Sequence, residues 1–280
     1  MPDARSIADA VKRAVAEAAV TLRPDVEAAL RDAIESEPSE RARHVLSQLL
    51  ENARIAARDA VPLCQDTGTV WVWVELGADE RLPAGLQAAV DGAVATAYSE
   101  NALRMSVVRD ALFDRTNTGD NTPTFLDVTQ RPGTGATVHV MLKGAGSDNA
   151  SALVMLDPSA GEDGVIDAVV RAVEAKATGA CPPLIVGVGV GGTFDTVAKL
   201  AKKALLAPLS VANADSRVAA FEQRLLEAVN ATGIGPAGLG GRTTALGVRV
   251  LTGPAHIAAL PVAVNLGCCA MRSATVEVLG

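Results

Sequence analysis

A helical period governs the chain up to about residue 60, and the first run of strand character, Val70–Leu76, follows after a single turn. Asp3–Leu22 and Pro24–Glu35 read as amphipathic helices, with Pro24 where a helix start tolerates a residue that lacks an N–H. Ser39 is placed to cap a third, which carries Val45, Leu49, Ile55 and Ala56 as apolar positions. Beyond Val70, short apolar runs and helical stretches alternate. Thr137–Leu142, Leu184–Val190, Leu246–Leu251, Leu260–Val264 and Ala274–Leu279 read as strands or apolar runs, and Ala84–Glu100, Val165–Ala177 and Ser216–Asn230 as helices. Another helix, capped by Thr193 or Asp195, runs through Leu206. This pattern predicts an α/β protein of mixed α+β arrangement. No repeat, low-complexity tract or linker interrupts it, so one domain is expected over 1–280, with the helical segment 1–60 integrated into it.

The core is built from small side chains, because 49% of the 280 residues are hydrophobic while only 2% are aromatic. A net charge of -7 gives no electrostatic reason to bind nucleic acid, and so few aromatics leave no stacking platform for single strands. No Lys/Arg run suggests an anionic membrane. The segment Met1–Val20 has acids interspersed and lacks the layout of a secretory signal. His256–Met271 is too polar and too short for a membrane span. Four cysteines in such a chain do not make a disulfide framework, which leaves ligands, catalytic groups or core. A cytoplasmic location is the expectation.

The chemistry concentrates in the turns. Pro62–Gly68 places a thiol, a carboxamide, a carboxylate and a hydroxyl on the consecutive residues Cys64, Gln65, Asp66 and Thr67, closed by Gly68. The stretch suits either a metal ligand beside a polar-substrate site or a buried cysteine before an ordinary turn. Arg104 interrupts an apolar run; Asn117–Pro123 is dense in turn formers; Lys143–Asn149 follows a strand with glycines that let main-chain N–H groups approach an anion. Cys181 lies before Pro182-Pro183, and Cys268–Cys269 in a late loop. Three thiols in separate loops suit a cluster held by three corners with one iron open, a Lewis acid for a hydroxyl and a carboxylate. Gly187, Gly189 and Gly192 also spell G-x-G-x-x-G, the fingerprint of a nucleotide-binding oxidoreductase, although the first two lie inside the expected strand.

Taken in order, Pro62–Gly68, Leu103–Val108, Asn117–Thr124, Lys143–Asn149, Cys181–Pro183, Gly189–Asp195 and Gly235–Arg272 resemble the α subunit, or N-terminal catalytic region, of the class I fumarate hydratases and L-tartrate dehydratases, iron–sulfur hydro-lyases. The resemblance covers most of the chain from about Ile55. It implies the Fe–S hydro-lyase α-type fold and a [4Fe–4S] cluster on Cys64, Cys181 and Cys268, with Cys269 as packing. It implies substrate contacts from Gln65, Asp66, Arg104, Gly144, Ala145 and His256, with Asp66 managing the proton of the hydroxyl lost or gained and His256 donating a hydrogen bond. The dicarboxylate is fumarate/malate in the first instance, a step of the tricarboxylic acid cycle, with L(+)-tartrate or mesaconate as alternatives. Single-chain enzymes of the class carry a further β-type domain that supplies the base, so a separate β-type subunit, in an α2β2 assembly, is implied here. Ala145 stands where the family commonly has glycine, and Ala150 and Ser273 replace longer residues.

Overall fold

The computed structural model describes residues 2–279. Eight α-helices and eight strands in this range divide into two compact units, each assembled from separated stretches of chain. The first takes in residues up to Arg23, Ala53–Ala145 and the chain from Arg272 onward; the second comprises Pro24–Asn52 and Gly146–Met271. Because the chain crosses repeatedly between them, no linker composition marks a boundary.

In the first unit, a four-stranded mixed sheet runs in the order β2-β1-β3-β8, formed by β1 (Thr69–Gly77), β2 (Phe125–Arg131), β3 (Ala136–Lys143) and β8 (Arg272–Val278). β1 pairs parallel with β2 and antiparallel with β3, which in turn pairs antiparallel with β8. Val70, Val72, Val74 and Leu76 alternate onto one face, where α1 (Ala4–Val20) and α4 (Leu86–Glu100) bury Ile7, Val11, Val90, Val94 and Tyr98 against them. The helix start expected near Asp3 is a full capping box, Asp3 accepting from Ser6 N–H and Ser6 Oγ from Asp3 N–H. β2 was not legible as a strand: it lies at the sheet edge with most of its side chains partly or fully exposed.

The second unit holds the sheet β4-β7-β5-β6, made of β4 (Ala152–Leu156), β5 (Leu184–Gly192), β6 (Ala245–Ala255) and β7 (Leu260–Gly267). β5 is buried almost throughout, as an interior strand with both faces covered should be. On one face, α6 (Gly161–Lys176) and α8 (Ser216–Ala231) contribute Val169, Val173, Leu225 and Val229. Against the sheet, α7 (Phe194–Ala204) packs so closely that a Cβ on Gly187 would lie 2.2 Å from the Ala201 carbonyl oxygen, and one on Gly189 2.5 Å from that of Val197. Those glycines exist for helix–sheet contact.

α2 (Pro24–Ser36) ends beside Glu37, a buried carboxylate that organises the glycine-rich loop before β6. Its Oε1 accepts from the N–H groups of Ser39 and Arg242, and its Oε2 from Thr243 N–H and Oγ1, each of the last two at 2.8 Å. Burial would raise the Glu37 pKa, but these hydrogen bonds to the charged form outweigh it and hold the carboxyl below its ordinary value. A depressed carboxyl contributes stability above its unfolded pKa and loses it as pH falls through the folded one. Glu37→Ala is therefore expected to destabilise the protein by about 3 kcal/mol in urea at neutral pH. The gap to wild type should narrow as the titration moves below pH ~4, the ordinary carboxylate range; a gap independent of acid pH would contradict this account.

Candidate active site

The turn before β1 is fixed from several sides within the first unit. Leu63 N–H donates to Ala19 O, and Thr67 Oγ1 donates to Arg104 O at 2.8 Å. The hydroxyl of Tyr98, fully buried in α4, lies 2.9 Å from Thr67 O and 3.0 Å from Gly68 O. Burial raises the Tyr98 pKa far above the phenol value, so it stays a neutral donor. Gly68 has φ +77°, and a Cβ there would sit 2.4 Å from the Lys143 carbonyl, so this position excludes every other residue on both counts.

Asn121 decides the loop of turn formers, whose composition is neutral between connector and site. It is fully buried in a left-handed conformation that asparagine tolerates, its Nδ2 donating to Gly68 O at 3.1 Å and its Oδ1 accepting from Ser106 N–H at 2.7 Å. Buried polar groups are kept where they are paired, and this pair ties the loop to the turn.

Asp66 stands at the centre. Oδ1 accepts from Gly68 N–H at 3.1 Å, with Ser106 Oγ at 3.5 Å, and Oδ2 accepts from Ala145 N–H at 2.9 Å. Gly144 leaves room for it: a Cβ there would lie 3.1 Å from Asp66 Oδ2 and 3.3 Å from Arg272 Nη2. Ala145 opens a short helix, α5 (Ala145–Asn149), and is absent from the residues with positive φ, so alanine serves where the resemblance leads one to expect glycine. Arg104 Nη1 donates to Gln65 Oε1 at 3.0 Å, and both residues are exposed. Gln65, Asp66, Arg104, Gly144 and Ala145 are thus brought together. Two residues given no role by sequence reasoning join them: Ser106, and the buried Arg272, whose Nη1 donates to the Asp66 carbonyl. An arginine at a strand start beside a cysteine loop was the only signal for the latter.

The second unit brings the other cysteines together through their main chain. Cys181 is exposed at φ 54°, and its carbonyl accepts from Cys269 N–H at 3.1 Å. Pro182 O accepts from Ala237 N–H, which joins the glycine-rich loop to the same end of the sheet. Cys268 and Cys269 are half-buried just past β7. His256 is not part of this grouping. It is exposed in the turn before β7, its Nδ1 accepting from Ala258 N–H, and the eight residues of β7 separate it from Cys268 by roughly 25 Å. The chain's own geometry gives no support to a shared site for His256 and the cysteine loops.

None of the four cysteines is in a disulfide. Among the described residues, no three His, Cys, Asp or Glu side chains gather as a single metal ion would require. An iron–sulfur cluster makes a different demand, one soft thiolate at each of several corners, and a set of unbridged loop cysteines meets it chemically. Among the same residues, no helix is long and apolar enough to cross a membrane.

Residues 8–277 match the family model described as Fumarate hydratase (Fumerase). The chain is 38% identical over 275 residues, 96% of both chains, to the "Putative L(+)-tartrate dehydratase subunit alpha" of Methanocaldococcus jannaschii. It is 33% identical over 259 residues, 91% of this chain and 84% of the relative, to the L(+)-tartrate dehydratase subunit alpha of Escherichia coli strain UTI89, and 32% identical over the same span to that of strain K12. The chain belongs to the fumarate hydratase (Fumerase) family. It is a hydro-lyase, and Gly187 and Gly189 of the G-x-G-x-x-G pattern pack against α7.

Tyr98→Phe leaves two buried carbonyls without their shared donor and should cost about 1–3 kcal/mol by chemical denaturation. Stability equal to wild type would show that the turn does not depend on that hydroxyl.

Proposed function

We propose that this chain is the α subunit of a two-component hydro-lyase that reversibly hydrates fumarate to (S)-malate. The observation that carries the reading is Asp66, held through both carboxylate oxygens by main-chain N–H groups from two loops, in the same unit as an exposed guanidinium at Arg104. A planar fork with free donors is suited to bidentate capture of a carboxylate. Arg104, set by Gln65, binds one carboxylate of the substrate. Asp66 accepts a hydrogen bond from the C2 hydroxyl, orients it, and takes or returns its proton as the C–O bond forms or breaks. The Ala145 N–H keeps the carboxylate aimed and adds a donor at the substrate side.

Cys64, Cys181 and Cys268 would hold a [4Fe–4S] cluster, which when bound supplies a Lewis-acidic iron for the hydroxyl. Cys268 takes the ligand role and Cys269, whose N–H is spent on Cys181 O, serves packing; loss of cluster in Cys268→Ser but not in Cys269→Ser supports that choice. The base that removes the C3 proton comes from a separate β-type subunit in an α2β2 assembly, a reading supported by relatives that are named as alpha subunits. A soluble cytoplasmic enzyme fits this assignment.

The same relatives favour a second substrate, L(+)-tartrate, dehydrated to oxaloacetate. Tartrate and malate share the CHOH–COO⁻ element on which Asp66 and Arg104 act, so the two readings differ only at the far carbon. Anaerobic assays of the cluster-loaded chain with fumarate, malate and tartrate, with and without a β-type partner, separate them. Turnover is expected only with the partner, and Asp66→Asn should lower kcat by about 10²–10⁴-fold, the usual contribution of a positioned acid–base group. Full activity of the α chain alone, or of Asp66→Asn, would overturn the reading.

A further inference from the structure

Arg272 occupies a place that a charged side chain rarely holds. It opens β8 directly opposite Leu142 of β3, in the register that sets Val140 against Ala274 and Val138 against Val276. Leu142, Val140 and Val138 belong to the apolar face covered by α1 and α4, so Arg272 enters that face from its end. It is 2% exposed and is among the largest fully buried side chains of the described residues.

Its hydrogen bonding is sparse for such a site. Nη1 donates to the Asp66 main-chain carbonyl, Nε is buried without an acceptor, and no carboxylate forms an ion pair with it among the described residues. Arg249 of the second unit, also buried, illustrates the ordinary solution: it pairs with Glu222 at 2.8 Å and reaches two carbonyls besides. Removing a guanidinium from water with no carboxylate in ion-pair contact costs several kcal/mol, so structural need alone would favour an apolar residue here. What the position does offer is reach. Nη1 holds the backbone of Asp66 while Nη2 lies against Gly144, beside the Asp66 carboxylate. One planar group therefore spans the turn before β1 and the turn after β3, the two that supply the N–H donors to Asp66.

We propose that Arg272 is the positioning residue of this site, its rigid guanidinium fixing the main chain of Asp66 against the Gly144–Ala145 turn so that the carboxylate is aimed at substrate. The proposal rests on the hydro-lyase reading of Asp66 for its catalytic consequence but not for its structural one. Lysine cannot replace arginine, because a single ammonium cannot touch both turns in a fixed plane.

The test uses the full cluster-loaded chain with its partner subunit and compares Arg272→Lys and Arg272→Ala with wild type. Loss of aim acts on the transition state more than on binding, so kcat should fall by about 100-fold while KM stays within about threefold. Millimolar guanidinium should restore part of the rate to Arg272→Ala and none to Arg272→Lys, whose side chain fills the space. Amide hydrogen exchange gives a readout that needs no activity: the Gly68 and Ala145 N–H groups should exchange at least about tenfold faster in both variants, with α4 amides unchanged. Exchange that rises evenly through the first unit, or failure of both variants to fold, would make Arg272 a general folding residue and overturn the proposal. Unchanged kcat and exchange would overturn it too. Faster exchange at Gly68 and Ala145 in a protein whose wild type turns over none of the three dicarboxylates would leave the positioning role standing and remove the hydro-lyase reading of Asp66.

Discussion

The site depends on the main-chain carbonyl of Gly68. It is claimed from one side by the Tyr98 hydroxyl and from another by the Asn121 carboxamide, each buried. Between them these bonds tie α4, the turn before β1 and the 117–123 loop into one piece, and Asn121 extends the tie to Ser106 N–H. Only a glycine can occupy the position, given its φ and the Lys143 carbonyl against its Cα. The Asp66 carboxylate, two residues away, inherits its direction from this arrangement. A carboxylate aimed by two main-chain N–H groups needs no reorganisation when a hydroxyl arrives, which is the physical value of preorganised polar groups.

The second unit shows the same economy with a different residue. Glu37 satisfies the N–H groups of Arg242 and Thr243 in a loop where glycines at 235, 238, 240 and 241 all adopt positive φ. Such a loop has the greatest conformational freedom to lose on folding, and a buried carboxylate accepting three hydrogen bonds from it offsets that loss. Its far end touches Pro182 through Ala237, so the order imposed by Glu37 reaches the loop that carries Cys181.

Much of this was legible in the sequence. The helix starts at Asp3, Pro24 and Thr193 or Asp195 and the interior strands β1, β3 and β5 follow from capping, period and apolar runs, because each is a well-buried element bounded by turn formers. The edge strand β2 and the short β4 were not, since neither carries a buried alternation. The cluster of Gln65, Asp66, Arg104, Gly144 and Ala145 was found through resemblance to a family; spacing could not have joined residues so far apart in the chain. Asn121 was hidden because turn composition does not distinguish a buried bridge from a surface loop. Arg272 was hidden because nothing in its neighbours predicts that an arginine will point into an apolar face. His256 lies at the opposite end of β7 from Cys268, and a role for it rests on the resemblance alone.

We propose that the loop thiols of Cys64, Cys181 and Cys268 serve to carry an iron–sulfur cluster. Anaerobic reconstitution of the full chain, followed by quantification of iron and acid-labile sulfide, tests this most directly. About four of each per chain are expected for wild type, with a clear loss in each of the three cysteine-to-serine variants. A wild-type chain that retains no iron or sulfide yet is fully active with its partner would contradict it.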